Sequence, residues 1–210
     1  METQIRLDGV NKFYGTKQAL KNIDLTIPQG MFGLLGRNGA GKTTLMKVMA
    51  TLLPVNSGEI DICGVPVTNA AKIRRMTGYL PQDFSMYGNM TVYEAMDYLG
   101  VLSGLSKQER RERIPELLER VNLQNNHRTK VKAMSGGMRR RLGIAQAILH
   151  DPKVLIVDEP TALCIYAQLR VKEKSKALSR RIRRLLFVPA SVLQGCFQCS
   201  SLPVCVGLQI

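Results

Sequence analysis

Apolar and polar positions alternate through the first thirty residues, with Ile5 and Leu7, then Leu20, Ile23, Leu25 and Ile27. Breaks fall at Tyr14-Gly15 and at Pro28-Gln29-Gly30, so the pattern predicts short antiparallel strands. Met31–Leu35 is a compact apolar run that enters a glycine-rich turn. Residues 42–51 follow, and Leu45, Val48, Met49 and Leu52 recur there at helical intervals, predicting strand, glycine loop and helix in that order. Further strands are predicted at residues 59–63 and 77–81. From 91 to 121 the period becomes helical, and Thr91-x-x-Glu94 and Ser106-x-x-Glu109 are capping boxes that predict two helix starts. Ile114, Leu117, Leu118 and Val121 form the apolar stripe of the second helix. Ser135-Gly136-Gly137 opens another helix, running to about Leu149 and closed by His150-Asp151-Pro152. Val154–Val157 is an unbroken apolar run, which predicts a buried parallel strand in mid-sheet.

Composition adds a boundary to this picture. The 210 residues are 45% hydrophobic and 22% charged, enough for one packed domain with a subdomain, and disorder throughout is excluded. The net charge of +14 points to anionic partners, yet it is unevenly placed: residues 164–210 hold eight of the 30 basic residues and one of the 16 acidic ones. Half of the excess therefore sits in the tail. Cysteine follows the same division, with Cys63 upstream and Cys164, Cys196, Cys199 and Cys205 in the tail. An odd, clustered set fits a reducing compartment better than a disulfide framework, and the N-terminus carries no signal-peptide pattern; a cytoplasmic chain is expected.

Gly36-Arg37-Asn38-Gly39-Ala40-Gly41-Lys42-Thr43 fits G-x-x-x-x-G-K-[ST] between a predicted strand and a predicted helix, the context that this motif requires. Such a loop cradles phosphate. Backbone N–H groups curl around the β-phosphate, Lys42 reaches the β- and γ-phosphates, and the Thr43 hydroxyl is a Mg²⁺ ligand. Gly36, Asn38, Gly39, Ala40, Gly41, Lys42, Thr43 and Thr44 are the candidate nucleotide contacts. Asp158-Glu159 ends the Val154–Val157 run, at the strand end where α/β sheets present their chemistry. Two acids at a strand end also occur in ordinary turns. With the phosphate loop upstream, Asp158 suits Mg²⁺ and Glu159 suits the activation of an attacking water.

Met134-Ser135-Gly136-Gly137-Met138 takes the reading further. Alone, Ser-Gly-Gly is an ordinary helix cap and turn. Upstream of Asp158-Glu159 and together with the phosphate loop, it resembles the signature of the ATP-binding subunits of ABC transporters. The resemblance implies a P-loop NTPase core of α/β class, a mixed sheet flanked by helices with N-terminal antiparallel strands, and a helical subdomain at about 84–135 inside a domain spanning 1–163. It implies Mg²⁺ and ATP, with Ser135, Gly136 and Gly137 serving the γ-phosphate of ATP on an opposite subunit in a homo- or heterodimer. Tyr14 matches the aromatic that stacks on adenine, and Gln82 matches the glutamine that senses Mg²⁺; Glu159 and Gln82 are the catalytic candidates. Met138 followed by Arg139, Arg140 and Arg141 is similar to exporter-type systems, and Arg37 stands where proline is frequent. The implied function is Mg-ATP hydrolysis that drives export through separate transmembrane permease subunits, at the cytoplasmic face of the membrane and with no specific nucleic-acid partner. A nucleotide-binding remnant without turnover, or a soluble ATPase of the same family, are the alternatives.

The resemblance stops at about Leu163. The family continues with Gly-Leu-Asp, whereas Leu163 is followed here by Cys164, and both histidines, His127 and His150, precede Asp158, so the family's later switch histidine has no counterpart. The coincident change in motif, charge and cysteine usage implies a frameshift or truncation just after Ala162. Strands completing the sheet are not visible in residues 164–210, so the fold is expected to be incomplete there, with apolar surface on Val154–Val157 exposed. Three other readings of the tail are a nucleic-acid arm at 170–184, a membrane anchor from Leu185, and a metal site at Cys196-x-x-Cys199 with Cys205.

Overall fold

The computed structural model describes residues 3–37, 39–83, 85–158, 185–189 and 205–207. β1 (Thr3–Tyr14) and β2 (Lys17–Pro28) pair antiparallel, with Leu7 opposite Leu25 and Lys12 opposite Leu20. The buried positions of β2 step by three between Leu20 and Ile23 before returning to steps of two. Asn22, at φ 44°, lies in that step, and the pairing shifts register nearby, as an extra residue in a strand requires. β1 pairs on its other side with β4 (Ser57–Ile62), which turns through Cys63 and Gly64, both at positive φ, into β5 (Val65–Pro66). This four-stranded antiparallel sheet has the order β2-β1-β4-β5.

The second sheet is parallel throughout. It contains β3 (Met31–Leu35), β6 (Thr77–Leu80), β7 (Val154–Val157), β8 (Leu185–Pro189) and β9 (Cys205–Gly207), in the order β6-β7-β8-β3-β9. The mixed character expected of the fold is thus divided between two sheets. The tail departs from expectation: its β8 pairs with both β7 and β3, and β9 pairs with β3 from the other side. Val154–Val157 is accordingly buried and in mid-sheet, not exposed. Strand hydrogen bonding depends on backbone groups, so an uncharged segment with no strong period still completes a ladder.

Helices fill the spaces around the sheets. α1 (Lys42–Met49) follows β3 and buries Leu45, Met46, Val48 and Met49; it ends earlier than its periodicity predicts, and Leu52, beyond it, is exposed. α2 (Ala70–Met76), capped by the Asn69 side chain accepting from the Lys72 N–H, buries only Ile73 and offers no period to read. α3 (Val92–Leu102) and α4 (Lys107–Arg120) both start at the predicted capping boxes. The Glu94 and Glu109 carboxylates accept from the Thr91 and Ser106 backbone N–H groups at 2.8 and 2.7 Å, and these bonds hold both acids below their ordinary range. Arg110 ties the two helices through Asp97 at 2.7 Å. α5 (Gly136–Ala147) then leads back to β7.

Two apolar clusters result. One joins the two sheets around α1; the other joins α3, α4 and α5. β7 serves both, since Val154 and Ile156 belong to the first and Leu155 and Val157 to the second. A strand buried on both faces needs apolar residues at every position, which is why this run is unbroken.

Candidate functional site

The phosphate-binding loop spans the gap between β3 and α1. Gly39 and Gly41 have φ of 86° and 71°, a backbone region where a side chain is strained, and Gly41 is the N-cap residue just before α1. The Ala40 N–H donates to the Arg37 carbonyl at 3.1 Å, and the Lys42 ammonium arches back over the loop, donating to the Gly36 and Arg37 carbonyls at 2.6 and 2.7 Å. Arg37 is exposed. Asn38 lies outside the described residues, as does Glu159.

β7 delivers Asp158 to this loop. The Thr43 hydroxyl donates to Asp158 Oδ1 at 3.1 Å across 115 positions of sequence, and Asp158 is buried at 4% exposure. The Asp158 N–H is held by the Leu80 carbonyl at 2.9 Å, which continues the β6–β7 ladder one residue beyond the strands. A hydroxyl and a carboxylate side by side are hard oxygen donors of the kind Mg²⁺ takes in company with nucleotide phosphates. Tyr79, one strand over, has its hydroxyl buried with no hydrogen-bond partner among the described residues; burial first and the Asp158 carboxylate second push the phenol up to about 12.

Tyr14 comes to the same place from the antiparallel sheet. Its hydroxyl is 3.5 Å from the Thr44 hydroxyl on α1, and the ring is 46% exposed. Gln82 sits just past β6 with an exposed side chain, and no hydrogen bond among the described residues joins it to Thr43 or Asp158. Instead it lines a cavity of about 340 Å³ with Asp83, Gly136, Gly137, Arg139 and Arg140. Ser135 caps α5, its Oγ accepting from the Met138 N–H at 3.3 Å. A Cβ added at Gly136 or Gly137 meets no atom of the described residues within 4 Å, so packing among those residues does not call for glycine at either position.

The model of the ABC transporter family matches residues 20–162. The chain belongs to this family. ABC transporter relatives include the linearmycin resistance ATP-binding protein LnrL of Bacillus subtilis, 37% identical over 159 residues, which are 75% of this chain and 51% of that protein. The Nod factor export ATP-binding protein I of Cupriavidus metallidurans is 40% identical over 77% of this chain and 54% of its own length. The daunorubicin resistance ATP-binding protein DrrA3 of Streptomyces coeruleorubidus is 41% identical over 76% and 51%. The chain spans about half the length of these relatives. Among solved structures, cbiO1 from Clostridium perfringens, part of the ABC transporter complex cbiONQ, superposes with a TM-score of 0.73 at 25% identity, over 90% of this chain and 78% of that one.

Several features of the site escaped the sequence reading. Lys12 lies with its ammonium 5.8 Å from the centre of the Tyr14 ring. The spacing of two along a strand places both side chains on one face, and that signal was present in the sequence. Asp83, Arg139 and Arg140 gather around Gln82 without any local pattern to announce it. The other readings of the tail fare differently. Cys196, Cys199 and residues 170–184 lie outside the described residues, whereas Leu185–Pro189 is a strand. Among the described residues no helix is long and apolar enough to cross a membrane.

Proposed function

We propose that this chain binds Mg-ATP at the phosphate loop and, as an energy-coupling subunit, drives export through separate transmembrane permease subunits at the cytoplasmic face of the membrane. The observation that carries the reading is the 3.1 Å contact between Thr43 and Asp158, which joins the loop to the carboxylate that would share a Mg²⁺ with it. Bound Mg²⁺ supplies charge neutralisation on the phosphates. The chain's own residues would do the rest: Lys42 would exchange the Gly36 and Arg37 carbonyls for phosphate oxygens, Thr43 and Asp158 would hold the metal, and Tyr14 would carry the base. Gln82 would sense the Mg²⁺, and Glu159 would orient the attacking water.

Dimerisation in head-to-tail fashion brings Ser135, Gly136 and Gly137 to the other subunit's ATP, and the open space around the two glycines supports that approach. Exposed Leu52 and Tyr87, on the rim of a cavity of about 690 Å³, support docking of a membrane subunit, with Val101 and Leu102 exposed on α3. Export follows the Nod factor export relative and the Met138–Arg141 variant of the signature. Turnover is slow, because Leu163-Cys164 stands where the family continues with Gly-Leu-Asp.

Calorimetric titration of the full chain with ATP, with and without Mg²⁺, tests the reading. Lys42→Ala is expected to weaken binding about 10- to 100-fold, the scale of hydrogen bonds to a charged group. Asp158→Asn is expected to erase the gain from Mg²⁺. Binding that ignores both substitutions overturns the site, and full-rate turnover abolished by Glu159→Gln overturns the claim of slow hydrolysis.

A further inference from the structure

The Lys12 side chain is an odd presence in β1. The residue is 8% exposed, yet no hydrogen bond or ion pair among the described residues engages its ammonium. What the ammonium meets is the Tyr14 ring, 5.8 Å from Nζ to the ring centre, within the range in which a cation is drawn to an aromatic face. The aliphatic stem is packed away in the strand, and the Tyr14 ring is the group that the structure sets against the ammonium at its end. The same ring is approached at its tip by the Thr44 hydroxyl at 3.5 Å. Tyr14 is therefore engaged at two points while still 46% exposed.

We infer that Lys12 is a positioning residue for the nucleotide base: it holds one face of the Tyr14 ring so that the other face is presented to the base of ATP. This rests on the reading of Tyr14 as the base platform. Two physical effects act in the same direction. A ring whose orientation is set by folding does not have to be ordered when the ligand arrives, so less of the stacking energy is lost to entropy. A cation on one face also draws π density toward itself, which lowers the repulsion between the opposite face and the electron-rich purine. Lys12 acts through the ring and contacts no part of the nucleotide.

The test compares ATP with inorganic tripolyphosphate, which carries the phosphates but no base, by calorimetry on the full chain with Mg²⁺. Lys12→Met keeps the aliphatic stem and removes the charge; it is expected to weaken ATP about threefold to fivefold and to leave tripolyphosphate unchanged. Lys12→Arg, which also stacks on aromatic faces, is expected to restore ATP binding to within about twofold. In a Tyr14→Ala background, Lys12→Met is expected to add nothing. Equal losses for ATP and tripolyphosphate, or the same loss with and without Tyr14, overturn the inference by assigning Lys12 a general electrostatic or structural role. If Tyr14→Ala weakens ATP while Lys12→Met does not, the inference alone fails. If Tyr14→Ala binds ATP as the parent does, the platform reading fails and takes the inference with it.

Discussion

Tyr79 is where a single residue reports on the site. Its hydroxyl is buried beside the Asp158 carboxylate, and both burial and that charge oppose formation of the phenolate. The folded protein keeps the proton up to about pH 12, whereas the unfolded chain releases it near the ordinary value of 10.0. Between those values the unfolded state binds fewer protons than the folded one. This residue's contribution is complete below pH 10 and falls as pH rises through the folded value. A spectrophotometric titration of the parent minus Tyr79→Phe is expected to isolate one phenol ionising near 12, and Asp158→Asn is expected to move that step toward 10. The difference step has to be assigned by subtraction, because Tyr98 is also raised, chiefly by its hydrogen bond to Tyr87. A Tyr79 step at the ordinary value refutes the burial of its hydroxyl.

At the scale of elements, the helices and strands that bear site residues are held by close backbone approach. Gly78 in β6 lies under the end of α5, and a Cβ built there falls 2.0 Å from the Ala147 carbonyl oxygen, a backbone atom with nowhere to move. Gly78→Ala is expected to cost about 1–3 kcal/mol in denaturant unfolding, the range for overpacking, whereas Gly136→Ala, with open space, leaves stability nearly unchanged. Equal effects at the two glycines contradict this packing. The same scale shows what was legible in the sequence. The phosphate loop was readable because eight positions match in a strand-to-helix context, and α3 and α4 because their capping boxes are reciprocal bonds between residues three apart. β5 and α2 escaped, since two residues have no period and a seven-residue helix burying one side chain has almost none. The meeting of Thr43 with Asp158 is a contact over 115 positions, available beforehand only through family resemblance.

Across the whole molecule, the tail is where sequence and structure diverge most. β8 and β9 lie beyond the stretch that the family model matches; their common partner β3 is more than a hundred residues upstream, whereas β7, the other partner of β8, is only about thirty residues away. β8 is interior and β9 is at an edge, so the two respond differently to proline. Phe187→Pro, opposite both Phe32 and Ile156, is expected to lower the melting temperature by several degrees or to leave the chain insoluble, while Val206→Pro is tolerated far better. Thermal unfolding of the two variants checks this, and equal midpoints argue against the interior position of β8. The place of β8 also has a metric meaning. β3 ends at the phosphate loop and β7 ends at Asp158, with β8 between them. Each inter-strand step is about 4.8 Å, so one intervening strand sets loop and carboxylate roughly 10 Å apart in the sheet, a gap that α1 and the Thr43 side chain then close. Were β7 to pair directly with β3, the carboxylate would sit about one step too near the loop. A strand beyond the stretch that the family model matches is therefore the gauge against which the phosphate loop and Asp158 are spaced.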